Sequence, residues 1–307
     1  MKDQIICIKH GIVILLALVV WLANMNQASA STLYWTEGGF SSGVLRRADV
    51  SSLGNSEIIS STTFASTAIA IDGVNSQMYW TGDGTLQRSD LNGGSVEVIS
   101  SGFGFSEGIA LNPMENSVYW TTWDGTILMS DLDGNNQKTI FTDTQQLYGL
   151  DIDLTNGHLY WTADDTGIYR SDLDGSNAQY IVDGGTEPLG ITLDVNNGKM
   201  YWADWEGQSI WKSNLDGSSV EELYSSVGGF PIGVTLDPLD GKVYWSEWGT
   251  NYIMRANLDG GSVETLYQTT NSPWDLALVS AVPLPPAIVM FCSGLFLLLT
   301  RARYRSN

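Results

Sequence analysis

A Tyr-Trp pair recurs six times, and no other feature limits the fold of this chain so tightly. It stands as LYWT (33–36), MYWT (78–81), VYWT (118–121), LYWT (159–162), MYWA (200–203) and VYWS (243–246). The tryptophans Trp35, Trp80, Trp120, Trp161, Trp202 and Trp245 are therefore 45, 40, 41, 41 and 43 residues apart. A unit that cannot bury its apolar surface alone must stack on copies of itself, and a period of about 40 to 45 residues is that of a four-stranded propeller blade.

Each copy supplies four short strand candidates separated by turn residues. In the fourth copy these are GLDIDL (149–154), HLYWTA (158–163), GIYRSDL (167–173) and AQYIV (178–182), with turns at Asn156-Gly157 and Asp174-Gly175. Both dipeptides tolerate the positive φ of tight hairpins. Apolar bulk falls on both faces of these strands, as expected for sheets covered on both sides. The repeat enters at LYWT with no first strand before it and ends at PWDLALVS (273–280), a first strand with no second strand after it. That phase predicts an all-β, six-bladed β-propeller over residues 31–280, its ring closed by pairing of the N- and C-terminal strands so that no sheet edge is left free.

Several linked positions accompany the Tyr-Trp pair: the glycine of a Gly-[IV]-x-[IL]-[DN]-like strand (Gly108, Gly149, Gly190, Gly233), a later basic residue, and Leu-Asp-Gly. Together they resemble the YWTD repeats of low-density lipoprotein receptor class B, and the resemblance covers about 250 residues and implies a six-bladed YWTD propeller. The fourth letter varies here, being Glu37, Gly82, Thr122, Ala163, Asp204 and Glu247. No EGF-like modules accompany the repeats, so lipoprotein uptake is not implied.

Both ends of the chain are apolar and are expected to be helical. Residues 1–30 read as a secretory signal: Lys2 and Lys9, the apolar core GIVILLALVVWLA (11–23), then Ala28-Ser29-Ala30. At the other end Val282, Pro283, Leu284 and Pro285 precede the apolar run IVMFCSGLFLLL (288–299), and RARYR (301–305) follows. This C-terminal segment, 281–307, resembles the PEP-CTERM sorting signals of Gram-negative bacteria in their Val-Pro-Leu-Pro form. That resemblance implies an exosortase-type processing enzyme as partner, transient membrane contact, and an exported protein of the cell envelope or the exopolysaccharide. The alternative is a retained anchor, although twelve strictly apolar residues fall short of the roughly 20 that span a bilayer.

The only cysteines, Cys7 and Cys292, lie in these end segments, so the repeat region has neither a disulfide framework nor a thiolate metal site. Between residues 31 and 280 there are 33 acidic residues against nine Lys and Arg, a net charge of −24. Five of those bases, Arg47, Arg88, Arg170, Lys212 and Arg255, share one repeat position, which marks a structural role. No basic patch remains for phosphate, and nucleic-acid binding is excluded on charge.

Strand alternation sorts the loops onto two faces. First-to-second and third-to-fourth turns share one face, which reads as tight and polar: DPLDGK (237–242), DVNNGK (194–199), LDGSN (173–177). The other face is aromatic. Its second-to-third loops begin with Trp123, Trp205 and Trp248, and its fourth-to-first loops contain Phe105, Tyr148, Phe230 and Trp274, with Asp124, Asp204, Glu206 and Glu247 among them. Trp123, Trp205, Trp248, Tyr148, Phe230, Trp274, Asp204 and Glu247 are the candidate ligand-binding residues, since flat apolar rings beside carboxylates suit sugars or polar segments of a partner. The alternative is that the tryptophans merely cap the blades.

DLDGNN (131–136) alternates Asp131, Asp133 and Asn135 as a calcium loop does, but it occupies a hairpin position and lacks the closing Glu. His158, the one histidine of the repeat region, reads as a solvated turn residue. With no Cys and no second His there, neither a nucleophilic triad nor a His-rich metal site can be assembled. No cofactor is called for, though so acidic a surface leaves room for a structural cation. Three functions stay open: a non-catalytic propeller binding a neutral glycan, exopolysaccharide or protein ligand; a metal-dependent hydrolase or lyase of propeller type; and a purely structural matrix protein. Carboxylates converging on one point of a central channel would mark the second.

Overall fold

Adjacent residues on a strand face opposite ways, so a Tyr-Trp pair gives each blade one large ring for each neighbour. The computed structural model describes residues 31–39, 42–51, 56–62, 66–164 and 167–280. The leader 1–30 and the segment 281–307, with the helical ends expected there, lie outside the described residues.

The first sheet contains β1 (Thr32–Gly39), β2 (Ser42–Asp49) and β3 (Glu57–Thr62). The second is β4 (Ile69–Asp72), β5 (Gln77–Gly82), β6 (Thr85–Asp90) and β7 (Glu97–Ser101). The third is β8 (Ile109–Asn112), β9 (Ser117–Thr121), β10 (Thr126–Asp131) and β11 (Lys138–Thr142). The fourth is β12 (Leu147–Asp153), β13 (His158–Ala163), β14 (Gly167–Asp172) and β15 (Gln179–Asp183). The fifth is β16 (Pro188–Asp194), β17 (Lys199–Asp204), β18 (Ser209–Asn214) and β19 (Glu221–Ser225). The sixth is β20 (Pro231–Asp237), β21 (Lys242–Glu247), β22 (Tyr252–Asn257) and β23 (Glu264–Gln268), and the last strand is β24 (Pro273–Val279). β24 pairs antiparallel with β1, matching Thr32 with Val279 and Trp35 with Leu276, and so supplies the fourth strand of the first sheet.

Every Tyr-Trp pair is buried in this way. Tyr34 packs with Trp80, Tyr79 with Trp120, Tyr119 with Trp161, Tyr160 with Trp202, Tyr201 with Trp245 and Tyr244 with Trp35. Each apolar cluster therefore lies between two blades, with one ring from each. Truncating one of these tryptophans to alanine is expected to cost about 3 to 5 kcal/mol.

The inner strands β4, β8, β12, β16, β20 and β24 each touch the next, and β24 touches β4. They pass closely enough to explain the motif glycine. A Cβ at Gly149 would lie 2.4 Å from the Leu189 carbonyl oxygen, and one at Gly190 2.4 Å from that of Ile232. The third letter of the motif bridges the same strands. The Thr162 hydroxyl accepts the Gly149 N–H (2.9 Å) and donates to the Leu189 carbonyl in the next blade (2.5 Å). Ser246 does the same between Gly233 N–H and the Trp274 carbonyl, and Thr121 donates to the Tyr148 carbonyl. The fifth blade holds Ala203 here and lacks the hydroxyl.

The shared basic position is a strap between blades, as its periodicity suggested. Arg88 pairs with Glu97 of its own blade (2.7 Å), then reaches Leu132 O (2.9 Å) and Asp133 (2.8 Å) in the next. Arg47 reaches Leu91 O at 2.8 Å, and Lys212 reaches Leu258 O at 3.1 Å. DLDGNN is the turn that its repeat position implied: Asp131 accepts the N–H groups of Asp133 (3.1 Å) and Asn135 (2.7 Å). His158 departs from the solvated reading. It is half-buried, with Nε2 3.7 Å from Asp172 Oδ1.

Candidate functional site

In five blades the second-to-third loop and the fourth-to-first loop before it are stitched together by one recurring backbone bond. Trp123 N–H donates to Phe105 O (2.8 Å), Trp205 N–H to Glu187 O (2.9 Å) and Trp248 N–H to Phe230 O (3.1 Å). This bond fixes the three tryptophans at equivalent places on one face. Phe105 lies 4.4 Å from Trp123 and 6.5 Å from Trp274, ring centre to ring centre. Trp205 lies 5.3 Å from Phe230 and 5.4 Å from Trp248. These tilted and edge-on contacts are the geometry that aromatic quadrupoles favour.

Exposure divides the aromatic set. Tyr148 and Trp274 belong to β12 and β24, not to loops, and are buried with Leu189 and Ile232 in one apolar cluster. Trp123 and Trp205 pack half-buried against that cluster. Phe230 is also half-buried, whereas Trp248 is 44 % exposed. Phe230 sits at φ 52°, in the left-handed region that a bulky residue enters only at a cost of about 1 to 3 kcal/mol. That strained turn carries the carbonyl that holds Trp248 and the ring that leans on Trp205.

The two fourth-letter acids among the candidate residues, Asp204 and Glu247, turn into their own loops. Asp204 is 2 % exposed and accepts the N–H groups of Thr186 (3.1 Å), Glu187 (2.9 Å) and Gly207 (3.0 Å). Glu247 is 3 % exposed and accepts the Trp245 indole N–H (3.1 Å) and the Thr250 hydroxyl (2.7 Å), with Ser226 also donating to it. Glu37 takes the Trp35 indole N–H in the same way (2.8 Å). A carboxylate with its lone pairs committed inside the loop is a clamp, and the sequence reading of Asp204 and Glu247 as ligand contacts does not fit this geometry.

Other acids lie close to the aromatic rings. The Tyr148 hydroxyl donates to Asp164 (3.1 Å). Near it, burial pushes the Glu187 carboxyl up, helped by the charges of Glu206, Asp164 and Asp204. Glu107 occupies the register position of Tyr148, Leu189, Ile232 and Trp274, one residue before the motif glycine. Burial pushes its carboxyl up to about 8; the adjacent Trp123 indole opposes this, and Glu187 and Asp275 add to it. Aligning the six copies would have shown this lone acid at an otherwise apolar or Thr position.

Beneath the apolar cluster a channel of about 240 Å³ runs along the inner strands. Glu107, Asp275 and Asp151 line it at three different register positions, and burial raises Asp275 to about 7 and Asp151 to about 6. The Asp275 carboxylate accepts the Ile69 N–H (2.9 Å) and that of Asp151 the Leu193 N–H (2.8 Å), each from the neighbouring blade. The three carboxylates are thus staggered along the channel. Among the described residues no group of three His, Cys, Asp or Glu is placed to hold a metal ion.

The opposite face differs from its plain, polar reading. Its first-to-second turns raise Val74 (89 % exposed), Met114 (93 %), Leu154 (47 %) and Leu239 (70 %) at their tips.

With six such sheets round a channel, the chain is a six-bladed β-propeller carrying YWTD repeats. Residues 198–238 and 241–270 match the low-density lipoprotein receptor repeat class B model. No curated protein matches the sequence. Among solved structures, a chain of the crystal structure of the nidogen/laminin complex is similar over 82 % of this chain and 99 % of its own, at 21 % identity and a TM-score of 0.75. A putative TolB from Agrobacterium tumefaciens is similar at 16 % identity and a TM-score of 0.61, covering 83 % of this chain and 99 % of that one. TolB from Acinetobacter baumannii is similar at 15 % identity and 0.68, covering 81 % and 67 %. At these identities the likeness is one of fold.

Proposed function

We propose that this propeller is a non-catalytic recognition module whose ligand is a protein segment carrying positive charge, held on the face of Trp205, Phe230 and Trp248. The observation that carries this reading is the exposed Trp248 ring tilted against half-buried Trp205, with Phe230 held in a strained backbone conformation beside them. Large rigid rings give contact area at low entropic cost, and such anchors supply most of the energy of an interface. Glu187, Glu206 and Asp164 beside Trp205 favour a cationic partner, as does the net charge of −24 between residues 31 and 280. The occurrence of a similar fold in the nidogen/laminin complex supports a protein ligand over a small molecule.

The module acts outside the cytoplasm, at the cell envelope or in its exopolysaccharide. The leader 1–30 and the Val-Pro-Leu-Pro tail support this, the tail being a sorting signal that an exosortase-type enzyme removes. The pairing of β24 with β1 supports a ring closed at its two ends, in which no sheet edge is left free.

Arrays of basic peptides and of neutral glycans, probed with the wild-type chain and with Trp248→Ala, test the binding claim. Peptide binding should weaken by about 1 to 3 kcal/mol, or roughly 5- to 150-fold, in the variant. Binding confined to neutral glycans would replace the protein ligand with a sugar. Binding that ignores Trp248→Ala and Trp205→Ala would move the site elsewhere.

A further inference from the structure

Glu107 stands apart from the other two channel acids. Asp151 and Asp275 each accept a backbone N–H from the neighbouring blade, whereas among the described residues no backbone amide bonds to the Glu107 carboxyl. The donor beside it is the Trp123 indole N–H, which is buried and falls short of hydrogen-bond geometry with any partner. The charges that act on Glu107, those of Glu187 and Asp275, are both negative. A desolvated carboxyl that neither an amide nor a cation holds is costly to ionise, and a cation brought from outside would relieve that cost.

The space around Glu107 says which cation. With Thr67, Leu189, Ile232, Trp274 and Asp275 it borders a void of about 10 Å³ at the end of the channel nearest the aromatic face. That is room for one water-sized group. Glu107 and Asp275 also line the channel of about 240 Å³, so the void is its mouth. Leu189, Ile232 and Trp274 belong to the apolar cluster on which Trp205 packs, which sets the mouth next to Trp205, Phe230 and Trp248. Those three apolar side chains wall a path for a methylene chain, Glu107 supplies the charge, and Thr67 and Asp275 bring further oxygen atoms. An ammonium group is a compact point charge and fits; a guanidinium is a planar fork of five N–H groups and does not. A divalent metal would need several ligands at one point, which the staggered acids do not offer. We propose that the channel mouth is a lysine subsite, in which one lysine of the bound segment passes Leu189, Ile232 and Trp274 and sets its ammonium against Glu107. This rests on reading the aromatic face as the site of a cationic protein segment, and it gives that site a preference for lysine over arginine.

With its pKa near 8, Glu107 is mostly protonated at neutral pH, and an arriving ammonium expels that proton. Glu187 and Asp275 act on the same carboxyl, and the Tyr148 hydroxyl, which burial keeps neutral throughout this range, stands near it on β12. Lysine affinity should then rise by about tenfold per pH unit from pH 6 to 8 and level off above, as the ionised fraction of Glu107 does. The test titrates hexalysine and hexaarginine, which carry equal charge, into the full chain, Glu107→Gln, Glu107→Leu (which copies Leu189 of the fifth blade) and Trp248→Ala. Calorimetry in buffers of different ionisation enthalpy reads the released proton. Hexalysine should bind the wild type at least about tenfold more tightly than hexaarginine, and both Glu107 variants should lose that preference while keeping hexaarginine binding within about twofold. Equal binding of the two peptides to the wild type, still weakened by Trp248→Ala, overturns the subsite and leaves the aromatic face standing. A lysine preference that survives both Glu107 variants overturns the subsite as well. A Glu107-dependent preference that ignores Trp248→Ala upholds the subsite and takes the rest of the segment off that ring. Failure of both peptides to bind overturns the aromatic-face reading and the subsite together.

Discussion

Thr162→Val keeps the shape of the side chain and removes only the hydroxyl that bridges the fourth and fifth blades. In the wild type that hydroxyl accepts from Gly149 N–H at 2.9 Å and donates to Leu189 O at 2.5 Å, in a position with no access to water. Valine satisfies neither group. A buried donor or acceptor left without a partner costs about 1 to 3 kcal/mol, and for the two together a loss of about 2 to 4 kcal/mol is expected. At about 2 to 4 °C per kcal/mol for a domain of this size, the melting temperature should fall by roughly 5 to 15 °C. The fifth blade offers the reverse change, because Ala203 stands where the hydroxyl would be. Ala203→Ser adds one oxygen between Gly190 N–H and Ile232 O and should stabilise by about 0.5 to 1.5 kcal/mol. Urea unfolding of the three proteins at one pH, with equal m-values, gives the differences directly. If Thr162→Val lies within about 0.5 kcal/mol of the wild type, the bridging role of the motif's third letter is refuted.

The channel acids make stability fall as pH rises. Glu107 moves from 4.5 to about 8, Asp275 from 3.8 to about 7 and Asp151 from 3.8 to about 6 on folding. Between those values the native state holds protons that the unfolded state has released, so their stabilising contribution is complete below about pH 4 and declines up to about pH 8. Glu107→Gln should flatten the upper part of that decline, and urea midpoints that fall equally in both proteins between pH 5 and 8 would count against it. Arg88→Met, which copies Met129 of the third blade, should cost no more than about 1 kcal/mol because the pair is partly solvated; a loss above 3 kcal/mol would mean that the straps hold the blades. Truncation after Ser272 removes β24, and should abolish a single cooperative transition and cause aggregation, whereas a monomer of unchanged stability would contradict closure by that strand.

The fold was legible because every blade repeats the same physical solution. Tyr and Trp alternate sides, the glycine admits the neighbouring strand, and the basic residue recurs in phase. The site was less legible. Asp204 and Glu247 hold the motif's fourth position and read as loop acids, yet both complete their strands and turn inward to clamp the loop. Tyr148 and Trp274 sit at the start of their inner strands, where they are buried with Leu189 and Ile232. Val74, Met114, Leu154 and Leu239 neighbour Asn, Asp and Gly in turns that read as polar, and only the fold shows them exposed among the described residues. Phe230 gave no signal of its left-handed backbone, since Phe is among the residues least suited to it.

Hydrogen exchange of the full chain, with and without a saturating basic peptide from the array, tests the central claim most directly. The account predicts added protection in the loops 205–208, 226–230 and 247–251 that carry and surround Trp205, Phe230 and Trp248, with no change in the turns 73–76, 113–116 and 238–241. Protection of those turns with the aromatic loops unchanged would place recognition on the wrong face and contradict the account.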